Sequence, residues 1–303
     1  MVTRNFSKKN IFKRIIASRN CYFFMAPYAL IFLIFTIVPV FIAIYYSLTS
    51  FNILETPTFI SLENYERLFL KDKLFVKALI NTLTFAAILG PGGYILSLSF
   101  AWFLNELNKR MRSVLTLLFY APSLCNVYVM WKIIFSGDQY GYLNANLMKL
   151  GITYEPILWL QDERYIKTVL IIVLLWASLG TSFLSFIAGF QTIDTTLYEV
   201  AAVDGIRNRW QELWYITLPA MKPQLMFGAI MSISSSFSVG DQISALVGFP
   251  SPNYSAHTLV AHLQDYGNTR FEMGYACAIA VVLFVIMVFS NKAIQKIIQK
   301  VGE

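Results

Sequence analysis

Charge is scarce in this chain. Only 14% of its 303 residues are Asp, Glu, Lys or Arg, whereas a soluble domain carries about 25%. Cysteine is rarer still, at Cys21, Cys125 and Cys277. All three lie in or beside apolar runs, and an odd number so placed gives neither a disulfide framework nor a metal-binding spacing. The two histidines, His257 and His262, are five residues apart. That is not the i, i+4 spacing of a helical metal pair, so they read as solvated or structural. No G-x-x-x-x-G-K-[ST] phosphate loop is present, so the chain has no motif for hydrolysing nucleotide itself. No polar stretch reaches the roughly 50 residues of a small soluble domain. There is no internal repeat and no low-complexity segment. A soluble enzyme and a disulfide-stapled scaffold are thereby set aside.

Apolar residues are abundant, at 57%. Several uncharged stretches exceed the 18 residues that suffice to cross a lipid bilayer as a helix. The fold class is an all-α polytopic membrane protein with six transmembrane helices. The net charge of +7 resembles that of a nucleic-acid binder. Retention of Lys and Arg on one membrane face explains it better, and no nucleic acid is expected as a partner.

Residues 1–20 form a polar, basic segment. The run after them is too long for a signal-peptide core of about 7–15 residues. The six-helix domain occupies 21–303. Its spans fall near Tyr22–Leu48, Asn81–Leu104, Val114–Phe135, Lys167–Phe190, Gln224–Val247 and Met273–Asn291. Kinks are expected at Pro27 and Pro39, and a break at Gly90-Pro91-Gly92-Gly93. With both termini on one side, that side holds 15 basic residues against 9 on the other. The excess predicts cytoplasmic termini.

On that same side lies the longest polar interval, Thr196–Pro223, within a loop spanning 194–223. Thr196 and Glu199 have capping-box spacing, and Gly205 suits a left-handed helix end. A second helix is expected over Trp210–Leu218, with Pro219 and Pro223 at the start of the next.

Glu199-Val-Ala201-Ala202-Val-Asp204-Gly205, followed by Ile216-Thr-Leu218-Pro219, resembles the EAA motif of ABC importer permeases, and more narrowly the carbohydrate-uptake branch. Val200 stands where the motif has its first alanine. Ten residues separate Gly205 from Ile216, one more than usual. Gly248-Phe249-Pro250 lies where sugar permeases often carry Gly-Gly-Pro. The resemblance implies a subunit of a prokaryotic cell-membrane transporter without a cofactor, working by alternating access. Its partners would be a second homologous permease subunit, two ATP-binding subunits and an extracytoplasmic substrate-binding protein. The solute would be of sugar type, and the loop would couple the chain to an ATPase.

Ser234, Ser235, Ser238, Asp241 and Gln242 of the fifth span fall within an arc of roughly 120°. A carboxylate in an apolar span must face a bundle interior or water. The stripe is either the wall of a polar path or a packing face of small residues. Asn126 and Tyr128, near the outer end of the third span, are further path candidates, and Trp131 beside them fits an interface belt. The alternatives are a permease for another small polar solute, an ion-coupled secondary transporter or a membrane scaffold.

Overall fold

The computed structural model describes residues 18–299 except 125 and 126. Among these, four helices are long and apolar enough to cross a membrane: α1 (Asn20–Ser47), α2 (Lys73–Asn105), a paired helix within Glu163–Thr192, and the last, within Met273–Ile298. Two further apolar stretches run in pieces. One consists of α3 (Lys109–Leu124) and short turns at Val127–Met130 and Trp131–Ile134. The paired helix within Glu163–Thr192 divides into α4 (Glu163–Ala177) and α5 (Thr181–Thr192). The second stretch in pieces is α8 (Lys222–Phe237) with α9 (Gly240–Val247), and between these two groups lie α6 (Thr196–Val203) and α7 (Arg209–Glu212). α10 (Leu259–Gln264) precedes the last helix, α11 (Met273–Gln299). The only sheet among the described residues is the two-stranded pair β1 (Thr49–Ser50) and β2 (Thr58–Phe59), with Thr49 opposite Phe59.

Proline shapes the ladders, though differently from the sequence expectation. A proline cannot donate to the carbonyl four residues back. In α1 a π turn at Leu33–Ile37 ends two residues before Pro39. The same arrangement recurs at Leu213–Thr217, two residues before Pro219. The wider turn places the strained ladder where the missing donor would fall. As a result the second helix of the polar loop is Arg209–Glu212, a π turn and Leu218–Ala220, rather than one α-helix over Trp210–Leu218. Pro219 stands at the start of the short Leu218–Ala220 segment and Pro223 at the start of α8, both as expected.

The expected break at Gly90–Gly93 does not occur, since α2 runs unbroken through Pro91. The glycines instead admit neighbours. A Cβ at Gly90 would lie 3.4 Å from Ser236 Oγ, and one at Gly93 would lie 2.9 Å from Ser178 Oγ. Breaks occur where none was expected. The fourth span parts at Ser178–Gly180, and the fifth at Ser238–Val239. In the fifth, Ser235, Ser236 and Ser238 hydroxyls donate back to the carbonyls of Ser232, Ile233 and Ser234. Such back-bonds compete with the helix ladder and bend it.

The core is stacked along the bundle. Phe75, Leu68, Leu259 and Ile279 fill one end, Phe85, Ile166, Leu170 and Val173 the middle, and Phe183, Phe186 and Met221 the other. In a bilayer, lipid tails are as apolar as leucine, so close fit holds helices together more than water exclusion does. Gly228 supplies that fit, because the Phe186 ring occupies the space a Cβ would need.

Candidate functional site

The two helix breaks face each other. Between them lies a cavity of about 550 Å³, within the roughly 300–1,000 Å³ of small-molecule sites. The fifth span contributes Ser235, Ser236, Ser238, Asp241 and Gln242 to its wall. The stripe read from the sequence is therefore mostly on the cavity. Ser234 is the exception, and its carbonyl accepts the Ser238 hydroxyl. Asp241 Oδ1 accepts the Gln264 amide at 2.6 Å, which ties α9 to α10. Asn126 lies outside the described residues, as does the Tyr128 side chain.

The opposite wall was not anticipated. Tyr120 and Ser123 come from α3, and Ser178, Thr181 and Ser182 from the break between α4 and α5. The signal was present as a polar island, Ser178 to Ser182, inside an apolar span. Gly180 caps α5 with no side-chain hydrogen bond to the helix. The first N–H groups of α5 therefore start at the cavity without a side-chain cap, as in the discontinuous helices of transport proteins. Among the described residues the assembled lining offers eight hydroxyls, one carboxamide and one carboxylate.

The polar loop is a second site. Asp194 Oδ1 accepts the Thr196 N–H at 3.0 Å. That bond holds the Asp194 carboxyl below its usual range. It also corrects the expected capping box: the residue before α6 is Thr195, and no side-chain cap of the Thr196–Glu199 kind forms. The other end fits its expectation. Gly205 has φ +93°. Ile206 N–H bonds Ala201 O at 3.0 Å, and Gly205 N–H bonds Ala202 O at 3.4 Å, the two bonds of a Schellman ending.

Tyr198 and Thr217 share a 2.9 Å hydroxyl bond across the loop. Arg209 pairs with Glu212 at 2.8 Å and with Glu106 beyond the end of α2 at 3.2 Å. Trp210 packs on Trp102 with ring centres 4.9 Å apart. Thus α7 is clamped to α2, and α6 is tied by Tyr198 to the π turn that follows α7. Of the motif residues, Ala201 is buried. Glu199, Ala202, Asp204, Gly205 and Pro219 are exposed, and Ile216 and Leu218 are half-buried. Val203, at the end of α6, is an apolar residue left 87% exposed.

His257 and His262 are buried, so the solvated reading fails and the structural one holds. His262 bonds Asp72, the N-cap of α2, and Tyr275 reaches the same carboxylate. Among the described residues no cluster of His, Cys, Asp and Glu suits a metal ion.

A polytopic helical fold with broken helices around a hydroxyl-lined cavity belongs to the class of membrane transport components. Residues 93–301 match the family described as "Binding-protein-dependent transport system inner membrane component", and the chain belongs to that family. It is 33% identical to the probable ABC transporter permease protein YesP of Bacillus subtilis (strain 168), over 88% of this chain and 86% of that one. It is 30% identical to the arabinooligosaccharides transport system permease protein AraP of the same organism, over 88% and 84%. The lactose transport system permease protein LacF of Rhizobium radiobacter is 29% identical over 70% and 72%. The fold matches a crystal structure of a bacterial ABC transporter that imports the acidic polysaccharide alginate. There the TM-score is 0.73 at 24% identity, over 96% of this chain and 100% of that one. The protein is thus a multi-pass membrane permease component, with a transport role and not a catalytic one.

Proposed function

We propose that this chain is one permease subunit of an ATP-driven, binding-protein-dependent importer for a sugar or oligosaccharide. It crosses the membrane six times with both termini cytoplasmic, and it pairs with a second, similar permease. Two separate ATP-binding subunits hydrolyse ATP and receive the 194–223 loop. An extracytoplasmic binding protein delivers the solute to the cavity, and the pair alternates between inward and outward access.

The observation that carries this reading is the cavity at the two helix breaks. Its hydroxyls both donate and accept, as a carbohydrate requires. The relatives named for arabinooligosaccharides and lactose support the same solute class. The exposed α6, tied through Thr217 to a segment that is clamped to α2, supports the coupling role, since a docking element must be held and reachable.

The test is reconstitution with its permease partner and ATP-binding subunits in proteoliposomes. Oligosaccharide uptake should require ATP with the ATP-binding subunits on one face and the binding protein on the other. Uptake driven by an ion gradient without those subunits would replace this reading with secondary transport.

A further inference from the structure

The cavity lining is one-sided in charge. Tyr120, Ser123, Ser178, Thr181, Ser182 and the serines of α8 are neutral. Gln242 is neutral too. Among the described residues Asp241 is the single carboxylate on the lining, and no Lys, Arg or His is there. Its Oδ1 is occupied by Gln264, while Oδ2 has no protein partner among the described residues. An acidic solute would therefore meet a carboxylate at this wall and no cation to pair with. A neutral solute would meet hydroxyls and one strong acceptor.

We infer that Asp241 makes this path selective for neutral, hydroxyl-rich solutes and excludes acidic sugars such as uronates. The inference rests on the sugar-importer reading above and narrows its substrate class. The competing influence is the uncapped start of α5 at the same cavity. A helix N-terminus carries about half a positive charge, which falls off within a turn. Asp241 carries a full negative one, so repulsion prevails. Two unit charges about 10 Å apart, at an effective dielectric near 20, differ from a neutral pair by on the order of tenfold in affinity.

A neutral solute also gains from the same carboxylate. A sugar hydroxyl can donate to Oδ2, a charge-assisted bond stronger than one between neutral groups. A uronate carboxylate cannot donate when ionised. One side chain thus both attracts one class and repels the other, the two halves of specificity.

The test compares a galacturonate trisaccharide with its methyl ester, which keeps the rings and removes the charge. Binding to the assembled transporter in nanodiscs, without its binding protein, is followed by saturation-transfer NMR. The ester should bind about tenfold more tightly than the acid. Asp241→Asn should bring the two within about twofold. Gln242→Glu, which adds a second carboxylate on the same wall, should widen the gap by about another tenfold. Each ratio compares two ligands on one complex, so a contribution from the second permease cancels between variants. Gln242→Glu also keeps the test decisive if Asp241→Asn does not assemble. Equal binding of acid and ester to the unsubstituted chain, or a ratio unmoved by both variants, overturns charge selection and leaves the sugar reading standing. Failure of the ester and of a panel of neutral oligosaccharides to bind at all overturns the sugar reading, and this inference with it.

Discussion

His262 Nε2 donates to Asp72 Oδ2 across 3.0 Å, joining α10 to the cap of α2. Asp72 also accepts the N–H groups of Leu74 and Phe75 and the Tyr275 hydroxyl. Burial opposes its charge, but the bonds from Tyr275 and Phe75, with His262 beside it, hold it below the usual carboxylate range. An ionised Asp72 only accepts, so His262 carries its proton on Nε2. Its Nδ1 then accepts from His257 Nε2 at 3.1 Å.

This chain of bonds predicts acid sensitivity. Burial, with His262 adjacent, lowers His257 to about 4, and burial also lowers His262 despite Asp72. Asp265, Arg270, Arg67, Glu272 and Tyr266 surround the cluster. A depressed histidine stays neutral when folded while its unfolded form takes a proton near pH 6.5. The unfolded state therefore binds more protons between about 6.5 and 4, and stability falls as pH falls through that window. Asp72 adds a loss in the same direction below its ordinary value of 3.8. Melting temperature of the purified complex should be level from pH 8 to 7 and decline toward pH 4. Replacing both histidines by glutamine should flatten that decline, and an unaltered slope would remove the pair as its source.

The Schellman ending of α6 gives a second prediction. Nothing lies within 4 Å of a Cβ placed on Gly205, so the constraint there is backbone, not space. A side chain at φ +93° costs roughly 1–2 kcal/mol, and more when β-branched. Gly205→Val should uncouple solute-stimulated ATPase activity while complex yield holds. Gly205→Asn, which tolerates left-handed geometry, should retain most of it. Full coupling in Gly205→Val would separate the loop from energy transfer.

These features differed in how well the sequence announced them. Gly205 was legible because glycine directly after a helical run is the usual left-handed helix end. The long apolar runs announced α1, α2 and α11 by length alone. Ser235, Ser238, Asp241 and Gln242 were readable as a face because spacing along one span suffices. Ser178 and Thr181 were not, since their role depends on another span lying opposite. The Asp72–His262 bond joins positions 190 residues apart, and no local pattern records it. Gly90-Pro91-Gly92-Gly93 misled for a physical reason. Glycine is read as a breaker in isolation, but between packed helices it is what close approach requires.

Gly274, beginning the last span, yields a third prediction. Its N–H donates to Phe51 O at 3.0 Å. A Cβ there would collide with the Thr49 carbonyl oxygen, a backbone atom that cannot rotate away. The contact fixes α11 against β1. Gly274→Ala should lower the melting temperature of the purified complex by several degrees, consistent with overpacking costs of about 1–3 kcal/mol. Equal melting for Gly274→Ala and the unsubstituted protein would mean the outer segment yields freely.

The last prediction separates two roles that Glu199 held on paper. A capping-box glutamate stabilises its own helix, whereas a docking glutamate acts on a partner. Asp194, not Glu199, satisfies the first free N–H of α6, and Glu199 is exposed with no partner among the described residues. Its removal should therefore leave the loop intact, within the roughly 0.5 kcal/mol typical of exposed sites. Any large effect must then arise at a surface the loop meets in the assembled transporter. Glu199→Ala is expected to leave the melting temperature and the yield of complex unchanged. It should reduce solute-stimulated ATPase activity at least severalfold, with Glu199→Gln recovering part if a hydrogen bond is used and none if charge is required. Asp194→Ala should show the reverse pattern, with lower loop protection in hydrogen exchange and a smaller loss of coupling per folded complex. Should Glu199→Ala instead destabilise the loop as Asp194→Ala does, the carboxylate would be working within the chain and the docking role would pass to the exposed apolar residues Val200 and Val203.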